Sequence, residues 1–226
     1  MRRNSGWMFA AAGLAWAAGA IAAPDPVADL MAKMTLEEKI GQMVQVDLKA
    51  LADRDDLARY AIGSVLSGGG SDPEDISPAG WAAVVDDLQA HALKSRLKIP
   101  ILYGIDAVHG HNNVDGDVIF PHNIGFGASR NPDLARKAAA VTAAEIAGTG
   151  MHWTFAPCVA VPRDERWGRT YEGYGETPEL AVMMGSEAIR GFQGDDLSDP
   201  TAVIACAKHF LGDGGTSNGI DQGNTV

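Results

Sequence analysis

Two kinds of hydrophobic pattern alternate along this chain. Continuously apolar runs of five to ten residues are typical of buried strands, and apolar residues recurring every three or four positions are typical of amphipathic helices. The first pattern predicts strands at residues 43–47, 60–66, 99–105, 152–161 and 202–207. The second predicts helices at about 35–43, from 78 through 92, at 131–148 and at about 177–191.

Helix starts are marked by capping residues. Thr35 and Glu38 form a capping-box pattern, in which each side chain accepts a backbone N–H of the other. The later helices begin with a polar cap followed by proline, at 77–78, 131–132 and 177–178. On the third helix the spacing predicts a buried face made of Leu134, Ala138, Val141 and Ile146.

Buried strands that alternate with amphipathic helices predict an α/β fold with a parallel sheet covered by helices. The chain contains no Gly-x-Gly-x-x-Gly after its first strand and no Walker loop, which disfavours a nucleotide-binding fold. A (β/α)8 TIM-barrel-type domain fits better. Since only four or five strands are found in about 200 mature residues, we interpret it as a barrel truncated after about four to five βα units.

The polar residues concentrate where the predicted strands end. In parallel sheets the chemistry gathers at the carboxyl ends of the strands, which here are residues 106–113, 157–176 and 208–215. Residues 157–176 alone carry four acids, three arginines, one tryptophan and two tyrosines. Charged, hydrogen-bonding side chains with aromatic walls suit a sugar, although a solvated loop of Arg and Asp ion pairs also fits this composition.

The amino terminus has the composition of a targeting segment. Arg2 and Arg3 precede an apolar run rich in alanine, and Ala20-Ile21-Ala22 is a small-x-small cleavage pattern. We therefore predict a secretory signal peptide at residues 1–23 and a mature chain of residues 24–226, in the bacterial periplasm or secreted. A membrane anchor is the weaker interpretation because the run is short and contains glycine.

Net charge and cysteine content limit the expected partners and disulfide bonds. Cleavage would remove two arginines and no acid, which changes the formal net charge from −11 to about −13. Nucleic acid and, after cleavage, membranes are therefore not expected as partners. Cys158 and Cys206 are the only two cysteines, and each lies in an apolar run, so we expect two buried thiols and no disulfide.

Several long motifs stand at the predicted strand ends and around them: YGIDAVHGHNN at 103–113, FPHN at 120–123, APC at 156–158, RDERWGR at 163–169 and AKHFLGDGG at 207–215. In order and spacing these motifs resemble glycoside hydrolase family 3, within it the β-glucosidase and β-D-glucan exohydrolase branch. The resemblance extends from the opening MTLEEKIGQM at 34–43 to the end of the chain. It implies the N-terminal (β/α)8 barrel of that family, with a β-glucoside or β-glucan oligosaccharide as ligand and with no metal and no cofactor.

The resemblance also implies roles for individual residues. Asp106, Arg169, Lys208 and His209 match the positions that bind the hydroxyls of the terminal, non-reducing glucose. We expect Arg163 and Glu172 to orient Arg169 and its loop, and Trp167 either to stack on a sugar or to pack within its own loop. Adjacent strand residues point to opposite faces, and the family brings both Lys208 and His209 to the ligand with non-prolyl cis peptides nearby.

The catalytic carboxyls of the family are not found in these residues. The resemblance implies a retaining mechanism with an Asp nucleophile in a Ser-Asp-Trp type motif and an acid/base Glu from a following domain, and neither motif is present. We therefore expect a fragment that lacks the C-terminal part of its chain, binds sugar and is inactive alone. Asp213 stands where the N-acetylhexosaminidase branch has histidine, which favours glucosides.

Two alternatives stay open at this point. His109-x-His111 resembles the metal pair of amidohydrolase barrels, with Lys208 as an imagined carbamate, but the remaining ligands are missing and loop packing explains both histidines. A non-catalytic sugar-binding remnant would retain the same four binding residues. An open barrel opposes it, since it leaves an unpaired sheet edge.

Overall fold

The computed structural model describes residues 25–225. The predicted signal peptide, residues 1–23, lies outside them. The described residues divide into two units, one that ends at Lys33 and one that begins at Met34. In the first, helix α1 (Pro26–Lys33) begins after Asp25, whose side chain accepts the N–H groups of Val27 and Ala28. The second unit contains the sheet and the remaining helices.

Five parallel strands form one sheet in the order in which they occur in the sequence. They are β1 (Gln45–Asp47), β2 (Ser64–Ser67), β3 (Leu102–Ile105), β4 (Trp153–Thr154) and β5 (Ile204–Ala205). Helical segments connect successive strands, which is the arrangement of a (β/α)8 barrel. The predicted fold class is confirmed, with five strands in the described residues. The strands are shorter than the apolar runs, and Tyr60 caps a helix end instead of starting β2.

The described helices of this unit include the four that the sequence predicts. They are α2 (Leu36–Gln42), α3 (Asp56–Arg59), α4 (Pro78–Ala92), α5 (Asn123–Ser129), α6 (Pro132–Gly148) and α7 (Pro178–Gln193). The capping box of α2 is present, and Ser77, Asn131 and Thr177 cap α4, α6 and α7 through their side chains. The short helices α3 and α5 have no amphipathic repeat that sequence analysis could detect.

The buried face of α6 differs from the prediction. Ala138 and Ile146 are buried, but Leu134 and Val141 are 43% and 42% exposed. Small side chains are buried in their place, namely Ala135, Ala139, Thr142 and Ala143, and α6 packs against α7. The prediction that Leu134 and Val141 are buried was therefore wrong. Two helices that pack closely bury small side chains and leave large ones at the margin.

The core lies between the sheet and its helices. Its large members include Val65, Trp81, Leu88, Ile105 and Met151, all fully buried. Both cysteines are free thiols, as predicted. Cys158 is buried, but Cys206 is only half-buried, which corrects the expectation of two buried thiols. Of the helices in residues 25–225, none has the length and apolar character needed to cross a bilayer.

Candidate functional site

An ion pair joins the ends of β3 and β5. Asp106 directly follows β3, and Lys208 follows β5 by three residues. Lys208 Nζ donates to Asp106 Oδ1 at 2.5 Å, across 102 residues of sequence. The lysine side chain is 14% exposed and the carboxylate 39%, so the acid keeps an open side toward solvent. A charged pair at the carboxyl end of a barrel sheet has the expected position of a binding site.

Gly68, just after β2, makes room for this carboxylate. Its φ is +124°, and a Cβ at this position would lie 2.4 Å from the Cβ of Asp106. The Asp106 N–H donates to Ser67 O at 3.1 Å, so the backbone is fixed beside the glycine. Any larger residue at position 68 would occupy the space of the Asp106 side chain.

A second ion pair lies on the loop after β4. Arg169 donates from Nε and Nη2 to the two carboxylate oxygens of Glu172, both at 2.8 Å. Burial alone would raise the pKa of Glu172, but the hydrogen bonds from Arg169 and the charges of Arg169 and Lys208 lower it overall. The same pairing raises the pKa of Arg169. Both groups are therefore charged at neutral pH, as the predicted orienting role of Glu172 requires.

His209 connects the two ion pairs. It follows Lys208 in sequence, and Arg169 Nη2 approaches its Nε2 at 3.0 Å. Its Nδ1 lies 2.8 Å from Asp213 Oδ2, although the N–H direction is too oblique for a well-formed hydrogen bond. Burial, followed by the charges of Arg169 and Lys208, lowers the pKa of His209. Neutral imidazole is therefore the form at pH 7.

Backbone contacts hold the two loops of the site together. Cys158 and Lys208 form an isolated parallel bridge, in which Val159 N–H donates to Lys208 O at 2.5 Å and Lys208 N–H to Pro157 O at 3.0 Å. The Lys208–His209 and Phe210–Leu211 peptide bonds are cis, as the resemblance implied. The loops after β4 and β5 thus form one unit that carries three of the four predicted binding residues.

Trp167 and Arg163 make their hydrogen bonds outside the two ion pairs. Trp167 is 2% exposed, clusters with Cys158 and Ala160, and donates from Nε1 to Asp221 at 2.9 Å. Of the two interpretations for Trp167, packing within its loop is the one that fits, because a buried ring cannot stack on a ligand. Arg163 is exposed and donates from Nη1 to Glu176 O at 3.3 Å.

The hydrogen bonds of the described residues include none between Arg163 and Arg169. Arg163 instead joins the two loops through its backbone, since its N–H donates to Gly214 O at 2.9 Å. This bond fixes the loop that carries Arg169, and the role of Arg163 in orienting Arg169 and its loop stays a prediction.

Only one group of three metal-binding side chains occurs in residues 25–225. Cys158, Glu172 and His209 each offer a ligand atom within 4.8 Å of the others. The group fits a metal ion poorly, because both oxygens of Glu172 bind Arg169 and because burial raises the pKa of the Cys158 thiol. The positive charges of Arg169 and Lys208 also oppose a cation there.

The histidines of the metal alternative belong to the packing of the fold. His111 is fully buried, with Nε2 3.2 Å from Thr149 Oγ1, and burial lowers its pKa to about 4. His109 donates from Nδ1 to Phe120 O at 2.9 Å, and its ring stacks on that of His122 with centroids 4.0 Å apart. The two histidines therefore do not converge on a common ligand, and loop packing accounts for both.

Two residues of the site were missed by sequence reasoning. Cys158 was assigned to the core, yet its sulfur lies beside Glu172 and His209. Asp213 was considered only for the choice between glucosides and N-acetylhexosaminides, yet its carboxylate contacts His209. The spacing of four residues between His209 and Asp213 is the signal that was available for the second contact.

Comparisons with known proteins give the family. The model of the glycosyl hydrolase family 3 N-terminal domain matches residues 35–225. A lysosomal beta glucosidase of Dictyostelium discoideum is 38% identical over 219 residues, covering 87% of this chain and 27% of that protein. A periplasmic beta-glucosidase of Salmonella typhimurium is 36% identical over 202 residues, covering 88% of this chain and 25% of that protein.

A solved structure shares both fold and sequence with this chain. The exo-1,3/1,4-beta-glucanase ExoP of a Pseudoalteromonas species is 44% identical and superposes with a TM-score of 0.82, covering 89% of this chain and 27% of the other. This chain thus spans about a quarter of the length of the relatives it matches.

Proposed function

The chain belongs to glycosyl hydrolase family 3, and we propose that it forms the glucose-binding part of an exo-acting β-glucosidase or β-glucan exohydrolase. The observation that carries this proposal is the continuous network of Asp106, Lys208, His209, Arg169 and Glu172 at the carboxyl ends of β3, β4 and β5. It offers carboxylate acceptors beside cationic donors, which is the chemistry that a ring of sugar hydroxyls requires.

Each residue has a distinct part in holding the sugar. The exposed oxygen of Asp106 accepts from hydroxyls, while Lys208 and Arg169 donate to hydroxyl oxygens. Glu172 holds the guanidinium of Arg169 by two parallel hydrogen bonds, so the donor is oriented before a ligand arrives. Because such preorganisation lowers the entropy lost on binding, the network favours one defined orientation of a terminal glucose.

The chemical step is proposed from the family. A retaining glycosidase needs a nucleophile and an acid/base carboxyl about 5 to 5.5 Å apart. We predict that an Asp and a Glu outside these 226 residues supply them, and that Asp106 binds substrate instead of attacking it. The absence of histidine at position 213 favours β-glucosides over N-acetylglucosamine substrates. Release of terminal β-D-glucose from a β-glucan chain is the proposed activity of the whole protein.

The proposed location is the periplasm or the exterior of a bacterial cell. It is supported by the signal-peptide pattern of residues 1–23 and by the periplasmic beta-glucosidase of Salmonella typhimurium among the relatives. The high acidic charge also suits a neutral carbohydrate more than an anionic polymer.

Ligand binding to this chain tests the proposal directly. Glucose and laminaribiose are titrated into the chain and binding is followed by NMR, with thermal unfolding as the folding control. Asp106→Asn keeps the shape and removes the charge, and we expect affinity to fall at least about tenfold, or about 1.4 kcal/mol. Asp87→Asn is the matched control, because Asp87 pairs with Arg54 on the exposed surface.

Two outcomes would contradict the proposal. The first is a folded chain that binds neither sugar, and the second is an Asp106→Asn variant with unchanged affinity. An aryl β-glucoside assay completes the test, since we expect the 226-residue chain to release no aglycone. Release above the background would show that these residues contain the nucleophile, and would overturn the assigned role of Asp106 if its substitution abolished the activity.

A further inference from the structure

The neighbours of His209 determine which of its two ring nitrogens carries the proton. A guanidinium can only donate, so the approach of Arg169 Nη2 to Nε2 at 3.0 Å requires a lone pair on Nε2. A neutral imidazole with a lone pair on Nε2 carries its proton on Nδ1. The position of Arg169 therefore defines one tautomer of His209.

The carboxylate of Asp213 faces the other ring nitrogen. Nδ1 is inaccessible to solvent, and Asp213 Oδ2 is 2.8 Å away. Nδ1 has no well-aligned acceptor among the described residues, so this carboxylate, only 16% exposed itself, is the charge that compensates its N–H. A buried N–H without such compensation would bear the full cost of its desolvation. Asp213 thus favours the same tautomer from the opposite side of the ring.

We propose that Asp213 is a positioning residue that keeps His209 in the neutral Nδ1–H tautomer, so that Nε2 is a hydrogen-bond acceptor in the proposed glucose site. The inference rests on the proposed function for its meaning, but the tautomer itself can be measured without a ligand. It has a chemical consequence: a sugar hydroxyl that replaces Arg169 Nη2 at the single lone pair of Nε2 must bond to it as a donor.

The other groups around the ring are consistent with this assignment. Arg169 and Lys208 disfavour a positive imidazolium, while Asp213 and Glu172 favour it, and burial decides for the neutral form. The Cys158 thiol nearby is held neutral because burial raises its pKa. An Nε2–H tautomer would direct its N–H at the Arg169 donor and leave an Nδ1 lone pair against the Asp213 carboxylate, so both contacts would be repulsive.

Nitrogen NMR of the imidazole rings tests the tautomer. In the ¹⁵N-labelled chain, with the His209 signals assigned from a His209→Gln variant, we expect a protonated Nδ1 and an unprotonated Nε2 at pH 7. Asp213→Ala removes the side-chain oxygens beside Nδ1 together with their charge, and we expect a mixture of tautomers. Asp213→Asn retains one oxygen but not the charge, so we expect the Nδ1–H tautomer to persist while the pKa of His209 falls. The matched control is Asp221→Asn, which removes a nearby charge that contacts Trp167 and leaves the tautomer unchanged.

The outcomes separate this inference from the proposed function. An Nε2–H or imidazolium form in the unmodified chain overturns the inference, as does an Asp213→Ala variant that keeps the original tautomer. If Asp213→Ala does not fold, Asp213→Asn decides, since an unchanged pKa of His209 would contradict a role for the carboxylate. Sugar binding that fails while the tautomer is as expected contradicts only the proposed function.

Discussion

Arg169 and Glu172 form a bidentate ion pair within a single turn of the loop after β4. Both bonds measure 2.8 Å, and the carboxylate side chain is only 11% exposed. The arginine is 30% exposed and also contacts His209, so the pair connects the buried base of the loop with the open site. Its contribution to stability and its pH dependence can both be measured.

Replacing Glu172 with Gln should destabilise the fold. The amide retains one acceptor oxygen but turns an NH₂ group toward the donor face of Arg169 and leaves that cation without its counter-charge. We expect a loss of about 1 to 3 kcal/mol in the free energy of unfolding, measured by urea denaturation at pH 7. Asp87→Asn, which disrupts an exposed pair with Arg54, should change it by less than about 0.5 kcal/mol. Equal effects would contradict the assignment.

Glu172 should also make the free energy of unfolding depend on pH in the acid range. Because the pKa of Glu172 is lowered in the folded state, its ionisation stabilises the fold above the unfolded value of about 4.3. That stabilisation is lost as pH falls through the lower, folded pKa. The difference in unfolding free energy between the original chain and Glu172→Gln should therefore shrink as pH is reduced from 6 toward 3. A difference that stays constant with pH would exclude this linkage.

Asp117 and Glu145 give the opposite pH dependence. Asp117 Oδ2 and Glu145 Oε2 are buried without a hydrogen-bond partner, and burial together with Glu145 raises the pKa of Asp117 to about 6. A raised carboxyl pKa means that stability is lost as pH rises through the folded value. Asp117→Asn should therefore raise the melting temperature at pH 7.5 by more than at pH 4.5.

The control for this prediction is Asp115→Asn, an exposed position two residues away. It removes the same charge from the same loop, so it separates a general charge effect from the buried pair. A gain at pH 7.5 that Asp115→Asn reproduces would contradict the role of Glu145.

Gly68 should be required for the position of Asp106. Gly68→Ala places a Cβ 2.4 Å from Asp106 Cβ at a φ of +124°, whereas Gly70→Ala, at φ +98°, meets no atom within 4 Å. Both substitutions carry backbone strain of about 1 to 3 kcal/mol. Only Gly68→Ala should also weaken glucose binding, which titration of the two variants compares. Equal affinities in the two variants would show that Asp106 is not displaced.

Thiol labelling should distinguish the two cysteines. Cys158 is fully buried and burial raises the pKa of its thiol, while Cys206 is half-buried. We expect iodoacetamide to modify Cys206 at least about tenfold faster in the native chain, measured by peptide mass spectrometry. In denaturant both should react at similar rates, and a native-state rate for Cys158 equal to that of Cys206 would contradict its burial.

Much of the fold could be predicted because its signals are local. The capping box of Thr35 and the proline starts at 78, 132 and 178 depend on residues within one helical turn, and all are present. The positions of Asp106, Lys208 and His209 after apolar runs indicated the carboxyl ends of the strands. Parallel strands bring those ends to one edge, so the sequence alone determined that these residues lie together.

The tertiary structure decided what each side chain faces. The buried ring of Trp167, the small-residue face of α6 and the partial exposure of Cys206 depend on which elements pack against them. The contacts of His209 with Arg169, 40 residues earlier, and of Lys208 with Asp106, 102 residues earlier, likewise have no local signal. Sequence patterns report neighbours along the chain, whereas burial and ion pairing depend on neighbours in space, and only the folded backbone specifies those.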